Sequence, residues 1–165
     1  GLPVPFLRPS QLATDTAPTA DVLLHALDWY ADHGRDYDTV LLLQPTSPLR
    51  TPGQIRQALD LYADTRPDMV VSVRPAAANP YYDIFETRPD GTLGISKGDG
   101  LYTRRQDAPC VWQYNGAIYV ICADTLRRMP MGKFPRRIPF EMSAQTSLDL
   151  DTLLDWQIAE QILNK

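Results

Sequence analysis

The order of apolar patterns in the chain predicts an α/β fold, a sheet flanked by helices. Helical spacing at Val22, Leu23, Ala26, Leu27 and Tyr30 is followed by the short apolar run Val40, Leu41, Leu42 and Leu43. Helical spacing returns at Ile55, Ala58, Leu59, Tyr62 and Ala63, and a second run follows from Met69 to Val73. Helix, strand, helix, strand is the signature of sheet strands joined by crossover helices. With 165 residues, one domain spanning 1–165 is expected, with enough chain for a core.

Each element has a local reason. Residues 1–19 hold Pro3, Pro5, Pro9 and Pro18, which favours extended chain. The first helix should end near Gly34. Residues 39–44 are bounded by polar turn residues and read as a strand buried on both faces. Pro45 and Pro48 exclude helix from Gln44 to Arg50, while Pro52 suits the first turn of the next helix. Residues 74–114 break the rhythm with Pro75, Pro80, Pro89 and Pro109, and read as an insertion that leaves the sheet. Within it, 82–86 and 91–95 are the expected strands of a hairpin around Pro89-Asp90-Gly91. A strand at 117–122, a short helix at 123–128 and a strand at 137–142 follow. In the last helix, 152–163, apolar residues cover most of the circumference, which predicts a well-buried element.

Bulk composition narrows the function. Hydrophobic residues make up 44% and charged residues 22%, with 20 acids against 16 bases and a net charge of −4. That balance speaks against a general nucleic-acid binder, since phosphate backbones are held by excess Lys and Arg. No apolar run approaches membrane-spanning length. Cys110 and Cys122 are too few for a disulfide framework and read as buried free thiols of a cytoplasmic protein. His25 and His33 have no second ligand at metal spacing and read as surface or internally satisfied histidines.

Four segments could carry chemistry. In Ser147-Leu148-Asp149-Leu150-Asp151, an extended backbone would point both carboxylates one way. A pair of like charges favours a cation between them, and Mg²⁺ is commonly held by one or two carboxylates with substrate phosphates. The competing explanation is helix capping by Asp151 or Thr152, with Asp155 completing a capping box; it leaves Asp149 unexplained. The segment from Gln44 to Arg50 follows a strand, where α/β sheets bind ligands. Gln44 can read amides or hydroxyls there, and Arg50 either binds an anion or only closes the next helix. Arg104-Arg105 suits a carboxylate or phosphate, or lies in solvent. Arg136-Arg137 reads as a solvated pair. Asn115-Gly116 is a turn signal, and Asn115 is equally a candidate ligand contact.

Taken in order, the segments 41–50, Val70 to Val73, Arg105 to Pro109, Asn115 to Tyr119 and 148–153 resemble the acylneuraminate cytidylyltransferase family, the CMP-sialic acid synthetases. Arg8 to Thr16 is similar to that family's segment after its third strand. The resemblance spans nearly the whole chain. It implies a Rossmann-like nucleotidyltransferase sheet with helices on both faces and a protruding dimerisation insertion, here 74–114. The implied reaction joins CTP and a 2-keto nonulosonic sugar acid to give the CMP-sugar and pyrophosphate. By resemblance, Asp149 and Asp151 are catalytic and hold Mg²⁺. Gln44, Asn115, Tyr119 and Tyr82 fall at sugar positions, and Arg8 and Thr19 at cytidine positions. Arg105 matches an arginine lent to the neighbouring subunit of a homodimer.

The chain also departs from the pattern. Tyr82 stands where a substrate-facing lysine is common, and Gln113 where some relatives carry arginine. Both changes remove positive charge and point away from N-acetylneuraminate, toward legionaminic-type acids. The family's opening glycine- and lysine-rich triphosphate loop has no counterpart in these residues. The expectation is therefore an N-terminally incomplete domain, inactive by itself, with an exposed sheet edge. A non-catalytic remnant that binds sugar acid or only dimerises is the alternative, disfavoured by the retained acid pair. An enzyme for an eight-carbon 3-deoxy sugar acid is a further one, disfavoured by Asn115 to Tyr119 and the long insertion.

Overall fold

A computed structural model describes residues 4–164; Gly1, Leu2 and Pro3 of the opening proline-rich stretch, and Lys165, lie outside them. Six strands and four α-helices are assigned: α1 (Thr19–Asp32), β1 (Thr39–Leu43), α2 (Pro52–Thr65), β2 (Met69–Pro75), β3 (Phe85–Thr87), β4 (Leu93–Ile95), β5 (Trp112–Cys122), α3 (Ala123–Arg128), β6 (Arg137–Glu141) and α4 (Leu153–Leu163). The main sheet has the order β1-β5-β2-β6. Strand β5 runs antiparallel to both neighbours, whereas β6 is parallel to β2. Helix α2 is therefore the crossover from β1 to β2, with β5 inserted between them.

The sheet carries a core on each face. Leu27 of α1 and Leu126 of α3 pack with Met69, Val71, Val73, Ile121 and Phe134. On the other face, Ala58 and Tyr62 of α2 pack with Val70, Ile118, Val120 and Met142. Val70 and Met69 therefore face opposite ways, the alternation a strand imposes. β2 is buried along Met69 to Val73, as its apolar run predicts. β1 is only half-buried, with Leu41 38% exposed. It pairs with β5 alone among the described residues and is a sheet edge; Val40 packs on one core and Leu43 on the other, each only partly buried.

Helix α2 starts at a full capping box. Thr51 accepts from the Gln54 N–H at 3.2 Å, and the Gln54 carboxamide accepts from the Thr51 N–H at 2.9 Å, with Pro52 in the first turn. At its other end, Arg136 donates to the carbonyls of Arg66 and Thr65 at 3.2 and 3.1 Å, a favourable place for a cation. Thr51→Ala is expected to cost about 1 kcal/mol of stability, read as a lower urea midpoint at unchanged slope.

Other expectations need correction. Asn115-Gly116 makes no hairpin turn. It lies inside β5, at a bulge where the pairing with β2 shifts between Val71 and Val73, and Gly116 supplies φ +75°. The hairpin β3–β4 is shorter than expected, because 80–83 form a turn beside buried Asn79. There the Asn79 carbonyl accepts from Tyr82 and Asp83, and its side chain donates to the Pro109 carbonyl at 3.0 Å. Cys110 is exposed and Cys122 only partly covered. Helix α4 is not well buried: Leu153 is 84% exposed and Leu154 64%, and only Ala159 is buried. No helix among the described residues is long and apolar enough to cross a membrane.

Candidate functional site

Three segments meet where β5 bulges. The Leu150 N–H donates to the Thr46 carbonyl at 2.9 Å, joining the acid segment to the turn after β1. The Gln54 side chain reaches from α2 to Thr146 Oγ1 at 2.9 Å. At Gly116, a hypothetical Cβ would lie 3.1 Å from Asp149 Oδ2 and 3.6 Å from Ser47 Oγ. The acid segment therefore rests on a backbone position that only glycine leaves open.

Asn115 is the polar centre of this junction. Its Oδ1 accepts from Ser72 Oγ at 2.5 Å and from the Ala117 N–H at 3.2 Å, and its Nδ2 donates to Ser147 Oγ at 2.8 Å. Ser72 Oγ in turn accepts from the Ile118 N–H at 2.7 Å. All three side chains are buried. A buried, bonded network of this kind fixes one geometry, because breaking any link strands a polar group. Asn115 thus ties β2 and the bulge to the start of the acid segment, and one amide N–H remains to it.

Beyond the junction lies a cleft of about 200 Å³ that includes Asp149, Asp151, Asp155 and Arg74. Capping settles on Thr152, which accepts from the Asp155 N–H at 3.3 Å while Asp155 accepts from the Thr152 N–H at 2.8 Å. The Thr152 hydroxyl, donating to Asp155 Oδ2 at 2.7 Å, and then the Thr152 N–H lower the Asp155 carboxyl from its ordinary pKa. Neither Asp149 nor Asp151 is used in the cap. Asp149 Oδ1 is buried with no hydrogen-bond partner, an expensive state for a charged oxygen unless a cation or a donor completes it. Among the described residues, no group of three or more His, Cys, Asp or Glu side chains is gathered as a metal site. The two carboxylates nevertheless fit Mg²⁺, which takes its remaining ligands from water and phosphate.

A second cleft, also about 200 Å³, contains Thr19, Gln44, Tyr119 and Arg137 over an apolar floor of Leu42 and Met69. Tyr114 lines both clefts and separates them; its ring meets that of Tyr119 edge-on at 6.3 Å. Burial first, then Tyr114 and Asp149, pushes the Tyr119 phenol up, so it keeps its proton at neutral pH and can both donate and accept.

The fold thus gathers Asp149, Asp151 and Asn115 at one cleft, and Gln44, Tyr119 and Thr19 at its neighbour. Arg8 is exposed and lines neither. Tyr82 and Arg105 lie between β2 and β5, where Arg105 pairs with Asp83; β2 runs to Pro75 and β5 starts at Trp112, so both ends of the range 74–114 belong to the main sheet. Arg50 donates to the Gln44 and Ser47 carbonyls, so it braces its own turn and not the next helix. Sequence reasoning missed Arg74, Tyr114 and Arg137 as cleft residues, and Ser72 and Ser147 as supports. The one available signal was Ser72, a hydroxyl in an otherwise apolar buried strand.

No protein-family model matches the chain. It is 30% identical over 164 residues to the CMP-N,N'-diacetyllegionaminic acid synthase of Legionella pneumophila subsp. pneumophila, spanning 99% of this chain and 70% of that protein. It is 32% identical over 151 residues to the N-acylneuraminate cytidylyltransferase of Streptococcus agalactiae serotype V, spanning 91% of this chain and 35% of that one. In fold it is similar to a CMP:2-keto-3-deoxy-manno-octonic acid synthetase solved with CTP, at a TM-score of 0.58 and 16% identity, over 92% of this chain and 70% of the other.

Proposed function

Since the chain belongs to the acylneuraminate cytidylyltransferase family, we propose that it carries the metal and sugar-acid part of a site that transfers CMP from CTP to a 2-keto nonulosonic sugar acid. The anomeric hydroxyl oxygen forms a bond to the α-phosphorus of CTP and gives up its proton, and the bond from that phosphorus to the bridging oxygen breaks, releasing pyrophosphate. The observation that supports this most directly is the bare, buried Asp149 oxygen beside Asp151, one aromatic ring away from the cleft of Gln44 and Tyr119. Asp149 and Asp151 would hold Mg²⁺, which when bound offsets phosphate charge and aligns the reacting groups.

The chain's own residues divide the remaining work. Gln44 and the protonated Tyr119 offer hydrogen bonds to sugar hydroxyls and amides. Asn115 holds the acid segment and keeps one N–H for a sugar oxygen. Thr19, at the start of α1, and Arg8 contact cytidine. Residues 74–114 dimerise the chain, with Tyr82 near the sugar and Arg105 reaching the other subunit's site. The missing positive charge at Tyr82 and Gln113 favours a legionaminic-type acid over N-acetylneuraminate.

These 165 residues contain no glycine- and lysine-rich phosphate cradle, so a polypeptide of them alone is expected to make little or no CMP-sugar. The test supplies CTP, Mg²⁺ and N,N'-diacetyllegionaminate or N-acetylneuraminate, and measures pyrophosphate. It compares the chain alone with the chain joined to the part of the Legionella relative that it does not span. Transfer by the joined protein only is the expected result. Equal transfer by the chain alone would remove the loop requirement, and no transfer by either would favour a non-catalytic protein.

A further inference from the structure

The adjacent arginines 136 and 137 do different things. Arg136 is spent on the carbonyls at the end of α2. Arg137 opens β6 in register with Met69. Ile138 and Phe140 pack on the α2 side of the sheet, so strand alternation turns Arg137 to the opposite side, that of Met69 and Tyr119. It lines the second cleft together with Gln44, Tyr119 and Thr19.

Its guanidinium has five N–H donors. Among the described residues it makes one hydrogen bond, a long 3.4 Å contact to the Tyr114 hydroxyl. None of the ion pairs among those residues includes it. The lining of this cleft contains no carboxylate, so nothing there competes for the charge. Arg74, the cation of the neighbouring cleft, is placed differently. It donates to Gln113 at 3.3 Å and shares its space with Asp149, Asp151 and Asp155. A carboxylate ligand would be repelled from that acidic cleft and drawn to Arg137. Gln44, Tyr119 and the apolar floor beside Arg137 then suit the hydroxyls and C–H face of a sugar ring.

On the cytidylyltransferase reading above, we infer that Arg137 is a specificity-determining residue that receives the carboxylate of the sugar acid, exchanging its weak bond to Tyr114 for a two-pronged one. The guanidinium fork matches a carboxylate in shape as well as charge.

Calorimetric titration of the joined protein described above tests this with N,N'-diacetyllegionaminate, N-acetylneuraminate and their C1 amides, with Mg-CTP as the control ligand. Wild type, Arg137→Gln and Arg137→Lys are compared. Arg137→Gln should weaken the acids about tenfold and leave the amides, Mg-CTP and the melting temperature nearly unchanged. Arg137→Lys should recover part of the loss. Unchanged acid binding in Arg137→Gln would overturn the inference while the transferase reading stands. Equal weakening of acid and amide would reduce Arg137 to a shape role, and a loss confined to Mg-CTP would reassign it to phosphate; either overturns the inference. Absence of acid binding by the wild type would remove both the inference and the reading beneath it.

Discussion

Asp149→Asn, placed in the joined protein, is expected to lower CMP transfer at least about 100-fold while the melting temperature in metal-free buffer stays level or rises. The two effects have one cause. Asp149 Oδ1 is buried without a partner, so its charge is a cost to the folded chain until something positive joins it. The amide removes that charge but cannot replace the carboxylate as a hard anionic ligand. Addition of Mg²⁺ should therefore raise the melting temperature of the wild type and not of the variant. A variant that is destabilised without metal, and still gains from Mg²⁺, would show that Asp149 serves the fold instead. Asp151 is exposed, so Asp151→Asn should share the loss of transfer but not the gain in stability.

Local rules carried the regular elements. Pro52 marked the start of α2, and the polar-bounded apolar run marked β2, because caps and turns depend on a few neighbouring residues. What the sequence left open depends on partners far along the chain. Asn115-Gly116 demands a left-handed residue either way; only the register against β2 makes it a bulge and not a turn. Periodicity revealed the apolar surface of α4 but not what covers it, and in this chain Leu153 and Leu154 face outward. The doublet Arg136-Arg137 looked uniform, yet adjacent residues of an extended segment point to opposite sides. One meets the end of α2 and the other a cleft.

At the acid segment, the ambiguity was between a cap and a metal ligand, and the residues could not settle it. The fold divides the labour: Thr152 and Asp155 close the helix, leaving Asp149 and Asp151 for the cleft. Asn115 shows the reverse case. A residue picked out as a ligand contact proves to spend most of its hydrogen-bonding capacity on Ser72, Ala117 and Ser147. Its reach into the cleft is limited to what those bonds leave.

The placement of Asp149 depends on Gly116, and Gly116→Ala should be the most disruptive single methyl in the site. Two costs combine. The backbone there has φ +75°, which costs an L-residue about 1–2 kcal/mol. The added Cβ would also sit 3.1 Å from Asp149 Oδ2, and the bulge cannot easily yield, since Asn115 and Ser72 hold the next two N–H groups, those of Ala117 and Ile118. The carboxylate must move instead. Gly34 provides the control: it has φ +73° but nothing within 4 Å of its hypothetical Cβ. Gly34→Ala should show the backbone cost alone, with Mg²⁺ stabilisation intact. Gly116→Ala should lose stability to at least the same extent and also lose most of its response to Mg²⁺. If the two variants respond to Mg²⁺ alike, the contact between the bulge and the carboxylate does not position the metal ligand, and the role assigned to Gly116 fails.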